Sequence, residues 1–176
     1  MPQEIIRSLF SLFERNELNP ILVGGWAVSY HGYPRTTLDI DFLLCSDKKT
    51  ELTSLLEPLG YSPSSSGTMV TRYAFKDPWY PMLDILWVDP DTYQEMYSHS
   101  EEPPHSPVTR VISLQDLIAM KLHAMHNHEE RDGKDLLDIR TLLRYNKGVI
   151  SDPELKKLCS KYGPDNAYAM ITSPSA

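Results

Sequence analysis

Apolar residues in the first stretch of the chain recur at spacings of three and four. Ile5, Ile6, Leu9, Leu12 and Phe13 thereby share one side of a helical wheel, so residues 3–17 are predicted as an amphipathic helix lying on a core. Pro20 closes that segment, and the pattern then changes. Ile21-Leu22-Val23 is a short apolar run, followed by Gly24-Gly25 and the helix-compatible WAVSYHG: a strand, a tight turn and a helix in succession. Pro34 restarts the chain as extended structure. Residues 38–44 (LDIDFLL) read as a strand. Ser46 is an N-cap for a helix over 47–58, Gly60 ends it, and SPSSSG at 62–67 reads as a loop. The β-branched and aromatic runs at 68–75 (TMVTRYAF) and 82–88 (MLDILWV), separated by KDPWYP, read as neighbouring strands, with an antiparallel pairing as one possibility.

The proline-rich stretch 99–107 (HSEEPPHSP) is predicted as a linker or surface loop. Beyond it Ser113 and Asp116 form a variant of a capping box that opens a helix through about residue 126, and residues 132–146 and 152–162 supply two more helices. The order of elements describes an α+β or α/β layered domain with an all-helical C-terminal part. A division at 1–112 and 113–176 follows, the two parts packing as one compact unit. A chain of 176 residues suffices for one domain with a real core. With 41% hydrophobic and 23% charged residues its composition is that of a globular protein, which excludes global disorder and fibrous classes. The N-terminal segment lacks the basic start and uninterrupted apolar stretch of a signal peptide, and no apolar run is long enough to span a membrane, so a cytoplasmic location is expected. Cys45 and Cys159 match no metal or disulfide spacing and are expected to be reduced.

The net charge of -7 is unevenly distributed. Residues 1–100 carry 13 acidic against 7 basic side chains, whereas residues 101–176 are nearly balanced. An acidic surface argues against a general DNA or RNA groove, while contact with one end of an RNA stays open.

Candidate chemistry concentrates in Asp39-Ile40-Asp41, two carboxylates within an apolar strand. Alternation along a strand places both on one face, with Leu38, Ile40 and Phe42 on the other. Two like charges so close repel and are costly to desolvate unless a divalent cation shares them, which points to a hard oxygen site for magnesium; the plainer reading is a solvent-facing strand with two exposed acids. Asp84 repeats the pattern as a lone carboxylate in MLDILWV. Three Asp from two strands suit two metal ions and in-line phosphoryl or nucleotidyl transfer. Asp89 and Asp91 look like turn and cap residues. Gly24-Gly25, between a strand and a helix start, lets backbone N–H groups approach a phosphate, although an ordinary turn is the commoner meaning of such a pair.

Gly24-Gly25, a gap of 13 residues, Asp39-x-Asp41 and a later strand Asp84 form a constellation. The stretch GGWAVSYHGYPRTTLDIDFLL resembles the nucleotidyltransferase superfamily related to DNA polymerase β. The downstream LQDLIAMKLHAMHNHEERDGKDLLDIRTLL is similar to AbiEii-like minimal nucleotidyltransferases, the likeness covering residues 20–145. The resemblance implies an α+β nucleotidyltransferase fold, a small mixed β-sheet flanked by helices with a helical C-terminal part. It implies that Gly24 and Gly25 contact phosphates, that Asp39, Asp41 and Asp84 ligate magnesium (two ions, with manganese as a substitute), and that Asp84 deprotonates the acceptor hydroxyl. Lys121 would meet the nucleotide phosphates, Asp135 would be a further acidic site residue, and Arg35 and Thr37, just ahead of the Asp pair, would support nucleotide binding. Trp26 departs from the Ser common in the superfamily.

The activity so implied is magnesium-dependent transfer of a nucleoside monophosphate from an NTP to an acceptor hydroxyl. The acceptor is a tRNA 3′ end, a protein, or an aminoglycoside- or lincosamide-type small molecule, and a toxin held by an antitoxin fits the same resemblance. The rival reading is a catalytically silent nucleotide- or partner-binding module of the same fold. Read from the residues alone, Lys121 either snorkels from the core edge or reaches into a cleft, and Asp135 and Asp138 read equally as helix-surface partners of Arg131 and Lys134. His123, His126 and His128 share no single helical face, so a polar helix end is expected there rather than zinc. Tyr30, His31 and Tyr33 either stack on a base or pack.

Overall fold

The computed structural model describes residues 2–103, 110–127 and 132–173. By its internal contacts the chain divides into two compact units, residues 1–27 with 36–113 and residues 28–35 with 114–176. The sequence places its boundary at 112/113; the structure breaks at 113/114 and also assigns 28–35 to the C-terminal unit.

The first unit is built on a six-stranded mixed sheet. Its strands are β1 (Ile21–Leu22), β2 (Ile40–Cys45), β3 (Tyr61–Ser66), β4 (Val70–Phe75), β5 (Leu83–Val88) and β6 (Arg110–Val111), in the order β3-β4-β5-β2-β1-β6. β2 and β5 occupy the middle, pair parallel, and are buried along most of their length, which is why both read as near-continuous apolar runs. β4 joins β5 antiparallel, and β1 joins β2 antiparallel. Helix α1 (Pro2–Arg15) contributes Leu9 and Phe13 to the core, and the Phe13 ring meets Phe42 of β2 edge-on at 5.1 Å between centroids. Helix α2 (Gly24–Tyr30) follows β1, and helix α3 (Lys49–Leu56) follows β2. Thr53 of α3 shares a hydrogen bond with the buried Tyr73 hydroxyl of β4 at 2.7 Å.

Three expectations in this unit are corrected. Ser46 is not an N-cap but the first residue of a short 3-10 turn, Ser46–Lys48, that leads into α3 without a side-chain cap. The SPSSSG loop lies almost wholly in edge strand β3, which pairs antiparallel with β4 through a register shift between Pro63 and Ser65. Its residues after Tyr61 are all exposed, so no apolar alternation marks it, and Pro63 is tolerated because an edge strand has one unpaired side. Leu38 does not share the apolar face of the following strand. β2 begins at Ile40, and Leu38 stands 81% exposed ahead of it. An unanticipated helix, α4 (Pro90–His99), begins where Asp89 and Asp91 were read as turn and cap residues. Asp89 is its N-cap, accepting from the backbone N–H groups of Asp91 and Thr92. Of the predicted 99–107 linker, residues 104–107 lie outside the described residues; Glu101 bridges Val111 of β6.

The second unit is helical. Helices α5 (Leu114–Asn127), α6 (Asp132–Tyr145) and α7 (Asp152–Tyr162) lie within two residues of their predicted ends, and α8 (Ala167–Thr172) is added. α5 packs on α6 and α7, and α8 packs on the same two. Residues 28–35 join them, with Asn146 Nδ2 donating to the His31 carbonyl at 2.8 Å. α7 starts on a reciprocal capping box between Ser151 and Glu154.

Candidate functional site

In the first unit, register gathers the charges. Asp41 of β2 lies directly opposite Asp84 of β5, and Asp84 lies directly opposite Arg72 of β4. Residues opposite one another on adjacent strands point to the same face, so Asp41, Asp84 and Arg72 form one row across three strands. The row continues to the neighbouring turn, where the Val23 N–H donates to the Asp41 carbonyl at 2.9 Å. Gly24, the next residue and the first of α2, thereby lies against the Asp41 side chain. A Cβ at Gly24 would fall 2.1 Å from Asp41 Oδ2, and the backbone there has φ +60°. Glycine at this position is what lets the carboxylate sit against the strand–helix turn. Gly25 is buried beside it.

Asp39 stands just ahead of β2. Its carbonyl accepts from Thr37 Oγ1 at 3.4 Å, which ties the predicted Thr37 to the backbone of the Asp pair. Arg72 forms a two-pronged bond to Asp84, Nε to Oδ1 at 2.7 Å and Nη2 to Oδ2 at 2.5 Å, and the same Nη2 lies 3.9 Å from Asp39 Oδ2. These hydrogen bonds, and after them the charge of Asp84, hold the guanidinium pKa above its ordinary value. Arg72 was absent from the sequence reading. Its signal was one cation in a β-branched and aromatic run next to a strand carrying one anion, but only the register of the pair turns that into a contact.

The donor chemistry of Asp39, Asp41 and Asp84 fits magnesium, which takes carboxylate oxygens from sites of this kind. Their side-chain arrangement is a different matter. Among the described residues no three His, Cys, Asp or Glu side chains are gathered so as to hold a metal ion, and both oxygens of Asp84 face Arg72.

The remaining candidates fall in the second unit. Lys121 of α5 donates to Asp135 Oδ1 at 2.7 Å and to Asp138 Oδ2 at 2.6 Å, both on α6, and Arg35 Nε lies 3.3 Å from Asp138 Oδ1. Lys121, Asp135 and Asp138 are 7%, 2% and 1% exposed. The three-residue spacing of the two Asp therefore faces inward toward Lys121, not outward toward Lys134, and Arg131 lies outside the described residues. Two cations and two carboxylates balance in charge, which is the condition for burying them. The Arg35 backbone is held by Ser29. Tyr30 and His31 meet edge-on, with His31 buried and Tyr30 exposed.

A family model described as "Nucleotidyl transferase AbiEii toxin, Type IV TA system" matches residues 81–169, just over half of the chain. No curated protein sequence matches. Among solved structures the chain is similar to ANT(2")-Ia in complex with adenylyl-2"-tobramycin, at 16% identity over 90% of this chain and 95% of that one, with a TM-score of 0.68. It is similar to the lincosamide antibiotic adenylyltransferase LnuA bound to lincomycin, at 19% identity, 79% and 94% coverage and a TM-score of 0.59. It is also similar to the Megavirus polyadenylate synthase, at 15% identity, 86% and 33% coverage and a TM-score of 0.58. These likenesses concern the fold, an α+β arrangement with a mixed sheet.

Proposed function

Because this chain belongs to the family of AbiEii nucleotidyl transferases, we propose that it transfers a nucleoside monophosphate from an NTP, with magnesium, to an acceptor hydroxyl and releases pyrophosphate. The observation that carries this reading is the row of Asp41 and Asp84 on adjacent parallel strands, with Gly24 cradling Asp41 and Asp39 two residues ahead of it. Asp39, Asp41 and Asp84 would hold the magnesium. When bound, the metal supplies charge neutralisation at the reacting phosphates and lowers the cost of forming the attacking oxyanion.

The chain's own groups supply the rest. The acceptor oxygen forms a bond to the α-phosphorus as the bond from that phosphorus to the β-phosphate's bridging oxygen breaks, and the acceptor's proton passes to the Asp84 carboxylate. Gly24 and Gly25, without side chains, let phosphate oxygens approach the backbone at the start of α2. Thr37 steadies the segment that carries Asp39. Lys121 has two of its three N–H donors taken by Asp135 and Asp138, and its third is assigned to a phosphate oxygen, with Asp135 and Arg35 holding the network in place.

The acceptor is an RNA 3′ end, a protein hydroxyl or an aminoglycoside- or lincosamide-type molecule, and an antitoxin is the partner in the first two cases. No described helix is long and apolar enough to cross a membrane. We propose the cytoplasm as the place of the reaction because NTPs are abundant there. The test is label transfer from each α-labelled NTP in a whole-cell extract with magnesium, against Asp39→Ala/Asp41→Ala protein. Transfer that requires both carboxylates is expected, and its sensitivity to ribonuclease, to protease or to neither identifies the acceptor. Failure of transfer with all four NTPs, by protein that binds them, would sink the reading and return the silent binding module.

A further inference from the structure

The acidic row already contains a cation of its own. Asp84 is held through both oxygens by the planar fork of Arg72, whose Nη2 also stands 3.9 Å from Asp39, so one guanidinium spans two of the three carboxylates. The two partners are unequally placed. The Asp84 side chain is 12% exposed and fixed on the central strand β5, whereas that of Arg72 is 43% exposed and has a long stem reaching solvent. A buried carboxylate cannot give up its counter-charge without replacement, but an exposed guanidinium returns to water at small cost. No trio of ligating side chains is assembled among the described residues. Beyond Asp41 the row meets the Gly24 turn, whose backbone lies against the Asp41 carboxylate.

We propose that Arg72 is a positioning residue that serves as the internal counter-ion of Asp84, and that a divalent cation binds the row by taking the guanidinium's place. Arg72 keeps the Asp84 side chain charge-compensated and aligned while no metal is bound, and it sets the metal concentration at which the site assembles. Displaced, it stays on the same face of the sheet with five N–H donors suited to phosphate oxygens. This inference rests on the proposed transfer reaction for its purpose, but the competition itself is a property of the nucleotide-free protein.

Manganese titrated into nucleotide-free protein, followed by loss of the free-ion electron paramagnetic resonance signal, tests it without turnover. An adjacent opposite charge alters a carboxylate's proton affinity by about ten- to a thousandfold, and a comparable effect is expected on a divalent cation, so Arg72→Gln should tighten manganese binding at least about tenfold. Arg72→Lys, a point charge without the fork, should fall between wild type and Arg72→Gln. Adding Asp84→Asn to Arg72→Gln should abolish the gain, which a merely structural role for Arg72 does not predict. Circular dichroism melts establish that each variant is folded. Arg72→Gln that binds manganese no more tightly than wild type overturns the inference, as does a gain that persists with Asp84→Asn. Tightened binding in a protein that transfers no nucleotide would leave this inference standing and remove the proposed reaction, so the two failures are distinguishable.

Discussion

Gly24 shows how one missing side chain carries two constraints. Its backbone sits at φ +60°, and the space its Cβ would fill is taken by the Asp41 carboxylate at 2.1 Å. Alanine there meets a rigid strand residue rather than the tip of a flexible chain, so Asp41 must move. A displacement of about 1 Å in a reacting constellation costs on the order of a hundredfold in rate, and that is the loss expected for Gly24→Ala in label transfer. Left-handed backbone also strains any L-residue by roughly 1–2 kcal/mol, which lowers stability without touching chemistry. Gly148 separates the two effects. It has φ +83° with nothing within 4 Å of its would-be Cβ, so Gly148→Ala reports strain alone. Equal transfer rates in the two variants, corrected for folded fraction, would show that Asp41 does not depend on the Gly24 cradle. In the sequence the glycine pair reads as a phosphate approach or an ordinary turn; its contact with Asp41 joins the β1–α2 turn to β2, which no local pattern encodes.

Between elements, the join of α5 to α6 runs through Lys121. Its ammonium is the hydrogen-bonded centre of a buried network with Asp135 and Asp138, with Arg35 beside Asp138. Removing one member of a buried ion network leaves the others uncompensated and typically costs about 3–5 kcal/mol. Lys121→Met is therefore expected to lower the melting temperature by roughly 6–20 °C for a chain of this size. Thermal unfolding checks it, and a fall of only a degree or two would show that solvent reaches the pair of carboxylates. Loss of transfer in this variant alone does not make Lys121 a phosphate ligand. This join was half legible in sequence: the helices and the inward option for Lys121 followed from periodicity, but whether Asp135 and Asp138 faced water depended on which helix came to lie opposite. Elsewhere the central strands announced themselves because burial on both faces demands apolar runs. β3 did not, because an exposed edge strand needs none, and α4 was hidden behind a Pro-Asp pair that serves turns and helix starts alike. Arg72 lies at the limit of such reading: its chemistry is visible at its own position, its partner only through the β4–β5 register.

At the scale of the whole molecule the chain is acidic, with a net charge of -7 at neutral pH, and its first unit holds phenols that resist ionisation. Tyr61 and Tyr93 are both pushed up to about 12, burial being the main cause in each, with neighbouring Tyr80 and Tyr97 adding to it. Each hydroxyl also donates to a carbonyl, Tyr61 to Pro81 at 3.0 Å and Tyr93 to Asn19 at 2.7 Å. An unfolded tyrosine titrates near 10. Between about pH 10 and 12 the unfolded state has therefore lost protons that the folded state keeps, so stability is whole below pH 10 and falls as pH rises, by up to about 1.4 kcal/mol per pH unit for each such group. Growing net negative charge acts in the same direction through self-repulsion. Salt separates the two, because roughly 1 M salt screens repulsion between surface charges beyond about 3 Å but leaves a buried phenol's desolvation intact. Urea midpoints measured from pH 8 to 11.5 in high salt should still decline above pH 10. Tyr93→Phe should start lower, having lost its bond to Asn19, and then decline less steeply because one late-titrating group is gone. A slope in Tyr93→Phe as steep as that of the wild type would mean that Tyr93 ionises in the folded protein as readily as in water.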